Sequence, residues 1–470
     1  MKIICFGRGY DIYDVHLMEK EREFEIVELL EWCDTGLKLT VADKVIYDED
    51  IDFSSFEFDY ILIMNGAYAR YEEILINKGI LNNRILSIYR DEAFTLRILG
   101  QKKNLVFRMK GKREEYVSYK IGKKNEPAVK PGNVDERKTV CSRLINVFEK
   151  QVEDRAGVDQ IYHIGKNWQG HLLETRKEFY HALELSVDVK NTLIFEMIDD
   201  FFRTCMGEGM AGGKAAYAGY KVTDEYSLAK SLETNMRIWY YGLDEHLDIK
   251  ELADNGVGGP LSLELNGISL HINTFFNHSR MCSFKRFLQE EEHPVIAEIG
   301  GGYGGCGYFI SKDILNATYI NFDIPEILLV SSYYLSTQFP NKKILCYEGI
   351  DMDLSPERIK SYDIVLLPNF MIEKFQSDSV DLFFNTISMG EMEINIVNNY
   401  IEQVGRISSK YFYHENLIEF HSSYSFNPSD LYEATINQYF DLFYKSADRW
   451  PFFNLETKVH RFMENLYIKK

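Results

Sequence analysis

Short apolar runs alternate with segments of helical spacing along much of the chain, and this predicts an alternation of strands and helices. In the first hundred residues the strand-like runs are 2–6, 24–30, 58–64 and 84–89. Residues 14–21 have helical potential. Residues 68–78 place Tyr71, Ile74 and Leu75 on one face before Gly79 stops the helix. Strands alternating with helices imply a parallel sheet, so residues 1–100 read as a small α/β unit. Residues 101–140 lose this pattern. They are polar and basic, with Lys102, Lys103, Arg108, Lys110, Lys112, Arg113, Lys120, Lys123 and Lys124 ahead of Pro127, Pro131 and Gly132, and read as a linker or exposed hairpin.

Residues 141–255 are mainly helical by pattern. Runs 142–152, 181–184, 193–205 and 226–241 carry apolar residues three and four apart. The aromatic stripe of Phe195, Phe201, Phe202, Trp239, Tyr240 and Tyr241 reads as core, and the glycine-rich 206–219 as a surface loop or a lid. From Gly256 the pattern changes again. Runs 261–265 and 268–272 alternate around Asn266-Gly267, a strong hairpin signal. A helix over 275–288 follows, then a buried strand over 295–299. Strands are predicted at 317–322, 344–347, 362–367, 380–385 and 411–414, with a helix over 327–338 and a closing strand-like run at 458–469.

At 470 residues the chain is expected to hold two or three domains. The boundaries are 1–100, 101–140, 141–255 and 256–470, the third being a substrate or lid region. The formal charge of 53 − 72 = −19 argues against a nucleic-acid backbone or an anionic membrane as main partner. No apolar run reaches the ~18 residues of a membrane span. The start MKIICFG lacks a signal-peptide core, and the seven scattered cysteines form no Cys-x-x-Cys pair, so a reduced, cytoplasmic protein is expected. The eleven histidines show no metal-ligand spacing.

The chemistry concentrates after residue 295. The strand 295–299 carries Glu298 near its end, and Gly300, Gly302 and Gly304 follow at every second position, with Gly301 and Gly305 between and after. A strand, glycine turn and helix let backbone approach a ligand closely. The spacing differs from the Gly-x-Gly-x-x-Gly of nicotinamide sites. Asp323 ends the second strand nineteen residues past Gly304, where a carboxylate can accept from ribose hydroxyls.

These motifs resemble the first motif and sheet order of class I, Rossmann-like, S-adenosylmethionine-dependent methyltransferases. In order, Gly259-Pro260, EIGGGYGG (298–305), FDIPE (322–326), SSYYLS (331–336), DLFFNTISMGEM (381–392) and residues 413–416 resemble the bacterial sugar O-methyltransferase family. The resemblance covers about residues 255–420. It implies a class I methyltransferase-like sheet in the C-terminal half and methyl transfer from S-adenosylmethionine to a sugar hydroxyl of a surface glycan or its activated precursor. Glu298, Gly300, Gly302, Gly304 and Asp323 would hold the donor, with Pro368, Asn369 and Asn385 as further donor contacts. Asn385 and Ser388 alternatively brace the loop, and Ser388 and His271 are substrate-binding candidates. A hydroxyl needs a base or a metal to assist its deprotonation. Glu391 is the first candidate for the base, Glu393 the second, and His414 and His271 follow. A divalent metal is compatible but not indicated by any ligand set.

The N-terminal unit resembles the compact Rossmann-like domains found beside bacterial sugar-modifying enzymes. Its Gly7-Arg8-Gly9 turn allows a nicotinamide-dependent nucleotide-sugar oxidoreductase as a competing reading, although Ile12 replaces the third glycine and no Tyr-x-x-x-Lys pair is suitably placed. A non-catalytic glycan-assembly scaffold is the other alternative. Self-association is compatible with the accessory unit.

Overall fold

A computed structural model describes residues 2–6, 25–30, 39–41, 44–46, 53–63, 68–87, 120–121, 130–204, 239, 249–253, 256–260, 262–265, 268–271, 273–417, 429–447 and 462–470. The N-terminal strands are β1 (Lys2–Phe6), β2 (Glu25–Leu30), the short β3 (Leu39–Val41) and β4 (Lys44–Ile46), β5 (Tyr60–Ile63) and β6 (Ile85–Ser87). Four of them form a parallel sheet in the order β2-β1-β5-β6, as the alternating pattern predicted. Helix α1 (Tyr68–Asn77) precedes β6 and stops at Gly79. There φ is +86°, and the amide of Ile80 closes onto the carbonyl of Leu75 at 3.0 Å. The Gly7-Arg8-Gly9 turn and the helix expected over 14–21 lie outside the described residues.

The stretch 101–140 is not wholly a linker. Its β7 (Lys120–Ile121) adds to the hairpin of β8 (Ser262–Leu265) and β9 (Ile268–His271), forming a three-stranded antiparallel sheet. Helix α2 (Val134–Arg155) begins inside it, before the expected boundary at 141. The cause is a capping box: Asn133 accepts from the Glu136 amide, and the Glu136 carboxylate accepts from the Asn133 amide, each at 2.9 Å. Helices α3 (Lys166–Thr175), α4 (Lys177–Leu183) and α5 (Val187–Asp199) complete the described helical region. The helix expected over 193–205 ends at Asp199, because the Phe202 amide turns away to the carbonyl of Gly258 at 2.9 Å. Phe195, Phe201, Phe202 and Trp239 are buried core, as their spacing suggested. The glycine-rich 206–219 and most of 226–241 lie outside the described residues.

Helix α6 (Asn273–Phe287) leads into the large sheet, which contains β10 (Val295–Ile299), β11 (Thr318–Asp323), β12 (Ile344–Cys346), β13 (Ile364–Pro368), β14 (Val380–Thr386), β15 (Ser408–Leu417), β16 (Phe440–Ala447) and β17 (Phe462–Lys469). Helices α7 (Gly305–Asp313), α8 (Pro325–Gln338), α9 (Pro356–Lys360), α10 (Ile394–Ile407) and α11 (Asp430–Tyr439) connect them. The strand order is β12-β13-β11-β10-β14-β15-β17-β16, parallel except for β17, which is antiparallel to both neighbours. β10, β11 and β13 are buried at every position, the signature of strands covered on both faces. The chain moves outward from β10 through β11 to the edge strand β12, inserts β13 between β12 and β11, then crosses back to place β14 on the other side of β10. The carboxyl ends of β10 and β14 therefore flank a topological switch point, where open α/β sheets leave a crevice. Among the described residues no helix is long and apolar enough to cross a membrane.

Candidate active site

A cavity of about 200 Å³ opens at that switch point. Its floor is the glycine turn after β10. Gly300 and Gly302 have φ of +71° and +58°, which glycine adopts without a Cβ penalty. Space adds a second requirement at Gly300, where a Cβ would lie 2.2 Å from Ser388 Oγ. One wall is the start of α6, with Asn273, Asn277 and Arg280. A second is the loop after β14, with Ser388, Glu391 and Glu393. The roof comes from residues 161–168, just before and within the first turn of α3.

The carboxylates of Glu298, Asp323, Glu391 and Glu393 line this space. Among the described residues the wall has one guanidinium, Arg280, whose Nε donates to the buried Glu415 at 3.0 Å. Asp323 accepts from the amides of Ile324 at 2.8 Å and Gly302 at 3.1 Å, which ties the second strand to the glycine turn. Burial nevertheless pushes its pKa up to about 8, against those two amides and with the help of nearby Glu298. Glu298 rises to about 7 by burial, opposed by the Tyr319 hydroxyl that donates to it and by Arg280. Burial likewise lifts the half-buried Glu391 to about 7, opposed by the Trp168 indole that donates to it at 3.1 Å.

These raised values set a pH dependence. The folded protein holds protons on the three carboxyls that the unfolded chain releases near 3.8 for Asp323 and 4.5 for the two glutamates. Their contribution to stability is thus complete below the unfolded values and is lost as pH rises through about 7 to 8. Melting scans of the ligand-free protein are expected to show a falling midpoint from pH 5 to 8.5. Asp323→Asn, which cannot ionise, should flatten the upper part of that fall; an unchanged slope would remove Asp323 as a contributor.

The other expected residues divide between the cavity and its support. Asn369 is in the wall. Its amide nitrogen donates to the Tyr162 carbonyl at 3.0 Å and the Tyr400 hydroxyl at 2.9 Å, while its buried Oδ1 has no partner among the described residues. Pro368 ends β13 and opens the turn that carries Asn369, without lining the cavity. Gly304 caps α7 at φ +90° behind the wall, and Gly305 takes the lining position. Asn385 lies behind the wall and braces the post-β14 loop. It donates to the Ile299 carbonyl at 2.7 Å and Ser388 Oγ at 2.6 Å, and accepts from the Met389 amide and Asn416. That bracing holds Ile387 at φ +73°, a strained value for a β-branched residue and one often found at functional loops.

The two histidines are not brought to this space. His414 is buried between Phe412, Tyr432 and Tyr467, with Nδ1 facing Asn416 and Asn465, and burial pushes its pKa down to about 3. His271 packs on Phe202 beside a separate small cavity beyond Tyr303, and burial lowers it to about 4. Neither lines the main cavity, because the strands carrying them turn those side chains into aromatic packing.

Several lining residues had no motif to announce them: Trp168, Asn277, Arg280 and Tyr400. Asn273, Asn277 and Arg280 recur at helical spacing of four and three, a polar face on a buried helix that was a readable signal. Among the described residues no group of three or more His, Cys, Asp or Glu is placed to hold a metal ion.

No protein-family model and no curated protein matches the chain. Solved structures similar to it include a TehB-like SAM-dependent methyltransferase from Corynebacterium glutamicum, 13% identical, with 41% of this chain and 88% of that chain covered at a TM-score of 0.28. Another is the magnesium protoporphyrin IX methyltransferase of Synechocystis with bound SAM, 6% identical, with 42% of this chain and 82% of that chain covered at a TM-score of 0.29. A small RNA methyltransferase is 12% identical, with 41% of this chain and 25% of that chain covered at a TM-score of 0.29.

Proposed function

We propose that the chain is an S-adenosylmethionine-dependent O-methyltransferase acting on a sugar hydroxyl. The observation that carries this reading is the switch-point cavity lined by Asp323 and the glycine turn, joined by the Gly302 amide. The cavity is rich in buried carboxylates, and its guanidinium is engaged elsewhere. Such a wall favours a ligand of net positive charge, because burying carboxylates without a counter-charge is costly. A sulfonium that also carries an ammonium and one carboxylate has that net charge. The unpartnered Oδ1 of Asn369 suits an exocyclic adenine amino group, and Asp323 retains acceptor capacity for ribose hydroxyls beyond its two amide bonds. The residues present therefore fit the donor.

When bound, S-adenosylmethionine supplies a methyl group on a positively charged sulfur. Glu298 braces the turn from beneath and contributes negative potential near the ammonium. Glu391 takes the proton of the acceptor hydroxyl as that oxygen acquires the methyl group. Burial lifts Glu391 towards neutrality, where a carboxylate is basic enough to accept a proton and still ionised in part. Glu393 Oε1 accepts from the Lys166 amide at 2.7 Å and anchors the start of α3, so Glu391 remains the first choice for the base. A sugar acceptor is supported by the resemblance of residues 255–420, and the acidic wall favours an uncharged sugar over a phosphorylated one.

Thermal melting with S-adenosylmethionine and, separately, NAD tests the reading. At about a hundredfold excess over Kd, the methyl donor should raise the midpoint by about 5 °C. Stabilisation by NAD alone would remove the methyltransferase reading and favour the oxidoreductase.

A further inference from the structure

The roof of the cavity lies far in sequence from the loop it covers, and the contacts between them are specific. Tyr162 is buried. Its carbonyl accepts from Asn369 and its hydroxyl donates to Glu373 at 2.9 Å, so the roof segment is fixed to the sheet. Gly165 follows, so close to the loop that a Cβ would lie 2.3 Å from Glu393 Oε2. Glu393 then receives the Lys166 amide, securing the first turn of α3. That turn carries Trp168 to Glu391, 223 positions later in the chain.

We propose that Trp168 is a positioning residue: its indole N–H holds the Glu391 carboxylate in place and in its ionised form, so the base is assembled by docking the helical region on the sheet. This rests on the methyltransferase reading of Glu391 as base. The indole nitrogen is a donor only and cannot accept from a protonated carboxyl, so the bond favours the carboxylate. Other charged or titratable groups border the same space. On the loop of Glu391 there is Glu393, engaged with Lys166; from the roof, His163; from α6, Arg280, engaged with Glu415; from β10, Glu298; from the glycine turn and α7, Tyr303 and Cys306; from the end of β11, Asp323; and from α10, Tyr400. Burial opposes ionisation of Glu391, and the indole bond works against it.

Carboxyl and indole resonances of the full-length protein test this without a known acceptor. In the wild type, one indole N–H signal should move with pH at the same midpoint as the Glu391 carboxyl carbon, and Glu391→Gln should abolish that movement. Trp168→Phe should raise the Glu391 midpoint by about one pH unit, a tenfold change in acidity. Its amide spectrum should show that the variant remains folded. An unmoved midpoint in folded Trp168→Phe, or indole signals that ignore Glu391, would overturn the proposal. If Trp168→Phe does not fold, the indole titration in wild type and Glu391→Gln decides alone. Failure of S-adenosylmethionine to bind the wild type would instead remove the methyltransferase reading and leave the titration standing.

Discussion

Glu391→Gln is expected to lower methyl transfer by about 10²–10⁴-fold while leaving donor binding intact. Glutamine is nearly isosteric and keeps an oxygen that can accept from Trp168 Nε1, so the loop and the roof stay joined. What is lost is the capacity to take a proton. The pH–rate profile sharpens the test. The wild-type rate should rise through about pH 7, following the raised Glu391 carboxyl, and the variant should lose that limb. Transfer of labelled methyl to glycan extract measures it. Full turnover in Glu391→Gln, with donor binding retained, would reject the base assignment.

The second large effect is on donor affinity. Asp323→Ala is expected to weaken S-adenosylmethionine binding by about 10–100-fold, the range for lost hydrogen bonds to a charged group. Part of that loss comes from the site itself, because the Gly302 and Ile324 amides lose their acceptor. Asp323→Asn separates the contributions: it can restore one amide bond without the negative charge. The wild-type carboxyl titrates at about 8, so its ionised form must be drawn out by the cationic ligand at lower pH. The wild-type advantage over Asp323→Ala should therefore grow between pH 6 and 8.5, and calorimetry at several pH values reads it. Equal affinities throughout would move the donor out of the 298–323 pocket.

The legible parts of this protein were those with short-range signals. The turn after β10 announces itself by three glycines at alternate positions behind an apolar run. β11, β13 and β14 are short runs rich in apolar residues, and their observed limits fall within three residues of those expected. Helix α11 and strand β16 had no such boundary. The chain passes from helix to strand between Tyr439 and Phe440 with no glycine or proline, so periodicity had nothing to mark the change. β17 was expected as a closing strand, but its antiparallel insertion between β15 and β16 depends on pairing that the strand's own residues do not encode.

The site divides in the same way. Glu298, the glycine turn and Asp323 were legible because they stand at strand ends, and Glu391 because it lies in the loop after β14; a parallel sheet collects such positions on one edge. Which polar residues face the cavity and which brace its wall was decided by tertiary structure. Asn385 and His414 carry suitable groups on suitable strands. One is consumed by Ile299, Ser388 and Asn416, and the other is enclosed by aromatic rings. Trp168 carries no local mark of function at all, and the roof segment brings it to Glu391. Sequence by itself determined the sheet, its glycine turn and the carboxylates on its edge, because those follow from periodicity and backbone freedom over a few residues. Only the tertiary structure decided the roof, the partner of Glu391 and the roles of the buried amides, because burial and hydrogen bonding there join segments distant in the chain, such as Trp168 with Glu391 and Asn369 with Tyr162.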